Sequence, residues 1–176
     1  KTFNYQGLAF TKEKFGEIPI FHYYYYFTSP AGNPIKVDIL LRTDPRKNNI
    51  SVEGEISLIE NRKTYISINA TGLTSCQYNQ VAIATLSGFL SDNNIPPKGA
   101  TPDSALSKEQ NITYAACGMP SQNIVILIQS GEETKINKES PFCYTITVAN
   151  CEIMQAIEKF EVQAIFDAKA RASESN

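Results

Sequence analysis

Short runs in which apolar and polar residues alternate with period two recur along this chain. They narrow its possible folds more than any other feature. Across residues 35–42, Ile35, Val37, Ile39 and Leu41 would share one face, with Lys36, Asp38, Leu40 and Arg42 on the other. That is the pattern of a half-buried strand. Residues 44–49 carry turn chemistry, because proline fixes φ and asparagine tolerates left-handed backbone. In residues 50–58, Ile50, Val52, Ile56 and Leu58 share a face opposite Ser51, Glu53, Glu55 and Ser57. Asn61 and Arg62 suit a reversal into a third run over residues 63–68, so the three runs read as a meander.

Further strands are expected over residues 3–10, 18–27, 81–90, 112–117, 124–129 and 143–148. About nine strands separated by turn signals predict an all-β, mainly antiparallel fold, a sandwich or barrel with at most one short C-terminal helix. Two stretches break the rhythm. Residues 91–110 are polar, carry Pro96, Pro97 and Pro102, and read as a long crossover or a binding loop. Residues 151–170 fit both templates. Ile153, Ile157, Phe160, Ala164 and Ala168 make a helical stripe, while Phe160, Val162, Ala164 and Phe166 alternate as a strand would. The reading adopted is a turn or two of helix over residues 152–159 followed by a strand. Residues 1–170 are expected to form one domain. Residues 1–12 could act as a detachable N-terminal strand, and a tail over 171–176 should fray.

Four cysteines, Cys76, Cys117, Cys143 and Cys151, lack CxxC spacing, and the single histidine cannot complete a zinc set. Two disulfides are the expected use. If residues 143–148 form a strand, the eight steps from Cys143 to Cys151 span roughly 26 Å. A disulfide needs Cα atoms within about 7 Å. The pairing of Cys143 with Cys151 then falls, and that of Cys76 with Cys117 falls with it, unless the chain reverses after Val148. Each of the last two cysteines should tie back to Cys76 or Cys117. Asn49, Asn69 and Asn111 each begin an Asn-x-Ser/Thr acceptor. The beginning at Lys1, which a mature secreted chain would share, and the cysteines together predict an extracellular glycoprotein.

The formal net charge of −2 gives no field for nucleic acid, and no basic cluster appears. The longest aliphatic run, residues 124–128, is far short of the ~20 residues that a spanning helix requires. No GxSxG, P-loop, dinucleotide-glycine or HExxH motif occurs, so neither enzyme nor cofactor is expected. His22 is read as structural. The least usual segment puts Phe21, Tyr23, Tyr25 and Phe27 on one face, and Ile20, His22, Tyr24 and Tyr26 on the other. Bulk on both faces predicts cover on both, whether by the core, by a protein partner or by an apolar ligand. The expected function is therefore non-enzymatic: protein binding or self-assembly, with carriage of a small hydrophobic ligand such as a lipid or pigment in a tyrosine-lined cavity as the alternative.

Overall fold

The alternating N-terminal runs form a four-stranded antiparallel meander, β1 (Thr2–Tyr5), β2 (Leu8–Phe15), β3 (Ile18–Thr28) and β4 (Pro34–Leu41), in the computed structural model, which describes residues 1–176. The run at residues 3–10 is two strands rather than one. Gln6 and Gly7 both take positive φ, 48° and 87°, as a tight two-residue hairpin requires. β1 is held within its own sheet. Phe3 stacks on Phe10 at 5.8 Å and lies edge-on to Phe21 at 6.1 Å, and the Arg46 guanidinium sits 3.9 Å above its ring.

The rest of the chain overturns the all-β expectation. A six-stranded mixed sheet contains β5 (Ser51–Glu53), β6 (Thr64–Ile68), β7 (Pro97–Ala100), β8 (Ile124–Ser130), β9 (Lys135–Ser140) and β10 (Cys143–Val148). Its spatial order is β5-β9-β10-β8-β6-β7. β7, β6, β8 and β10 run parallel to one another, β9 is antiparallel to β10, and β5 is parallel to β9. Three helices, α1 (Asn79–Asp92), α2 (Ser104–Gln110) and α3 (Ile153–Glu174), complete the architecture, which is mixed α/β and neither a sandwich nor a barrel.

Each discrepancy has a local cause. Residues 81–90 form helix, not strand, because Ala82, Leu86, Phe89 and Leu90 are the residues they bury, at helical spacing. Helix runs unbroken from Ile153 to Glu174, through the residues read as a strand and into the expected tail. The strand-like alternation there was misleading because the first half of α3 is buried almost all round: Ile153, Met154, Ala156, Ile157, Phe160, Val162, Ala164 and Ile165. Residues 112–117 make only one bridge, Thr101 to Tyr114, and serve as a cover over the mixed sheet. The long crossover holds β7 and α2. The proposed three-strand meander does not exist, since β4 belongs to the first sheet while β5 and β6 are separated by β9, β10 and β8.

The resulting order is layered. One apolar cluster joins the inner face of the meander, α1 and α3, and one face of the mixed sheet. Tyr5 meets Phe166 of α3 from the meander side at 5.6 Å, while Tyr144 of β10 meets Phe160 from the other at 5.9 Å. The helices are thus the middle layer. A second, smaller cluster (Tyr65, Ala100, Ala115, Val125, Leu127 and Cys143) fills the far face of the mixed sheet. Both faces of β8 are therefore buried, which is why its sequence is continuously apolar rather than alternating.

The cysteines form two disulfides, Cys76–Cys151 and Cys117–Cys143. β10 does separate Cys143 from Cys151, as the strand argument required. The first bond joins the segments that lead into α1 and α3. The second laces the 111–119 cover to the start of β10.

Candidate binding surfaces around the tyrosine strand

β3 has one covered face and one open face, which corrects the expectation of cover on both. Inward, Phe21 and Tyr23 are buried, and Tyr23 packs on Phe10 at 5.4 Å. Tyr25 and Phe27 continue this row past the end of the packed core and are half-buried. They emerge into a cleft of about 420 Å³. Its walls are Leu58, Phe89 and Ile95 together with Ala164, Ile165 and Ala168 of α3. Volume and lining fall within the range of sites that take small apolar molecules. The polar groups are few. The Tyr25 hydroxyl donates to Asn93 Oδ1, and Glu60, Lys169 and Arg171 supply the charged groups of the lining. Burial pushes the Tyr25 phenol up to about 12, with Asn93 pulling the other way, so the cleft presents a neutral hydroxyl.

Outward, Tyr24 is 52 % exposed and Tyr26 63 % exposed, with ring centroids 6.0 Å apart. Lys36 of β4 lies over the Tyr24 ring at 4.7 Å and pairs with Asp38 at 3.0 Å. His22 is held between two carboxylates, Nε2 to Asp38 Oδ1 at 2.8 Å and Nδ1 to Glu13 Oε1 at 3.3 Å. The hydrogen bond from His22, followed by that from Lys36, holds the Asp38 carboxyl below its ordinary range. With both ring nitrogens facing carboxylates, neither is paired with a hydroxyl or thiol that it could activate. Leu40, Ile18 and Phe15 extend the apolar exposure along this face.

Two acidic residues on α3 went unnoticed in the sequence. Glu158 is buried and accepts from the backbone N–H of Arg42 at 2.6 Å and of Thr43 at 3.1 Å, tying the end of β4 to the middle layer. Glu161, one turn on, is buried without such partners. A strand reading of residues 160–167 assigns Glu161 to a polar face beside Gln163 and Asp167, which concealed it. Treating the whole segment as helix would have set both acids next to the apolar stripe.

The three sequon asparagines, Asn49, Asn69 and Asn111, are all exposed, the last at the C-terminus of α2 with φ of 53°. No helix is long and apolar enough to cross a membrane. Comparison of the chain with family models, with curated proteins and with solved structures finds no match.

Proposed function

We infer that this is a non-enzymatic extracellular domain that pairs with a second copy of itself through the open face of the meander. One observation carries the reading: two adjacent tyrosines, Tyr24 and Tyr26, stand more than half exposed on a sheet whose opposite face is in the core. Tyrosine supplies large, stiff contact area with a polar tip, and exposed aromatic groups of this kind are enriched at protein interfaces. A second copy suits the charge pattern. Lys36 and the carboxylates of Asp38 and Glu13 flank the aromatic row, so a two-fold axis through the face would set cation against anion in both directions. The two disulfides support an oxidising compartment, and three accessible sequons are consistent with glycosylation there.

Sedimentation equilibrium between about 1 and 100 μM tests the pairing. The native chain is expected to dimerise, and the double variant Tyr24→Ser, Tyr26→Ser to weaken the dimer at least a hundredfold. Both side chains point away from the core, so thermal stability should change little. A native chain that stays monomeric over this range, or a double variant that dimerises equally well, rejects the reading.

The cleft beyond Tyr25 and Phe27 favours a second reading, carriage of a small apolar ligand with a polar end near Lys169. Native mass spectrometry of protein purified without detergent is expected to show a co-purifying small molecule. Ala168→Phe should close the cleft from α3 and abolish uptake of a hydrophobic dye. An empty native protein that takes up no dye would remove this reading.

A further inference from the structure

Glu161 has no bland explanation. It is 2 % exposed, and its Oε1 has neither a hydrogen bond nor an ion pair. Leaving a carboxylate desolvated and unpaired costs several kcal/mol on typical scales, and a structural position would be better filled by an apolar residue. Asn79 and Asn137 also bury an unpartnered oxygen, but neither can carry charge. Glu161 contributes to the lining of a groove of about 550 Å³ between the meander and α1. Ile20, Ile39, Leu40 and Phe89 give this groove apolar walls.

The helix wall is open at one point. Gly88 leaves one position of α1 without a side chain, although alanine there would favour the helix more. A Cβ placed there would meet nothing within 4 Å, so no close packing calls for the glycine. The missing side chain widens the groove above Glu161. Titratable and charged groups around it come from every adjoining element: Glu13 and Lys14 from β2, Tyr25 from β3, Asp38 from β4 with Arg42 just beyond it, and Asp92 from α1. Glu158 lies one turn away on α3 itself. Glu13 and Asp38 are engaged with His22, Arg42 leans toward the Tyr78 ring at 5.7 Å, and Lys14 and Asp92 are exposed to water, so Glu161 is the buried carboxyl of the lining that lacks a partner.

We propose that this groove binds a small organic cation, a protonated amine with an apolar body, whose ammonium group pairs with Glu161 while its body lies against Ile39, Leu40 and Phe89. The site lies toward the other end of β3 from Tyr24 and Tyr26, although Glu13, Asp38 and Leu40 belong both to its lining and to the open face of the meander. Burial first and the neighbouring Glu158 second hold the Glu161 carboxyl well above its ordinary range. An arriving cation favours the ionised form, so binding is coupled to release of a proton and strengthens as pH rises.

Calorimetric titration with three probes of one shape tests the site: phenethylamine, the neutral 2-phenylethanol and the anionic 3-phenylpropanoate. Phenethylamine should bind at least tenfold more tightly than either analogue and more tightly at pH 8.5 than at pH 5.5. Its apparent heat should vary with the ionisation enthalpy of the buffer. Glu161→Gln keeps the shape and removes the charge, and should lower affinity at least tenfold while folding at least as well. Gly88→Leu fills the groove with a better helix former and should abolish binding. Equal binding of the three probes, absence of phenethylamine binding, or full affinity in Glu161→Gln each overturns the proposal.

Discussion

Replacing Cys76 and Cys151 together by serine is expected to lower unfolding stability by about 4–5 kcal/mol. The two residues are 75 positions apart, so the bond removes much of the freedom of the unfolded chain, and chain-entropy arithmetic puts that near ~4.5 kcal/mol. Removing both partners avoids a stray thiol. The same arithmetic for Cys117 and Cys143, 26 positions apart, gives about 3.5 kcal/mol, so the order of the two effects is itself an expected result. A typical domain has only about 5–15 kcal/mol of net stability. The first double variant should therefore be marginal near body temperature. Urea unfolding at neutral pH measures both. A loss below ~1 kcal/mol for the 76–151 pair would mean that packing alone fixes the junction between α1 and α3.

Phe160→Ala should cost about 3–5 kcal/mol, the range for removing a wholly enclosed aromatic side chain. Phe160 has no exposed surface and meets Tyr144 edge to face, on a helix that lies between two sheets. Neither sheet can collapse into the void without leaving the other, so relaxation should recover little of the loss. Phe15→Ala, at a ring that is largely exposed on the β2–β3 hairpin, provides the internal contrast and should stay within about 0.5 kcal/mol. Thermal or urea melts of the two variants side by side decide it. Equal effects would contradict the layered arrangement.

Sequence patterning was most informative where one side of an element meets water. β3 and β4 alternate because the meander has a wet face, and their extents were legible almost to the residue. The pattern failed where both sides are dry. α3 buries residues around most of its circumference, so its stripe broadened until a strand template fitted as well. β8 was found, but its unbroken run Ile124-Val125-Ile126-Leu127-Ile128 also marked a parallel strand covered on both faces, and that implication was missed. Recognising it would have called for crossover helices, and Ala82, Leu86, Phe89 and Leu90 supply the spacing for one. β9, with its polar run Lys135–Ser140, carries little signal because it is paired on both edges without being apolar. The tyrosine strand was singled out correctly as unusual, yet which face stayed open depended on a helical layer that alternation alone does not reveal. Glu161 was invisible for the same reason.

The Cys76–Cys151 bond has a consequence for durability. It closes a ring that takes in α1, α2 and every strand from β7 to β10. A protease that severs one peptide link anywhere inside that ring opens it without detaching a fragment, because the two halves remain joined through sulfur. Where digestive enzymes are abundant and reductants scarce, a nicked molecule of this kind persists as one particle.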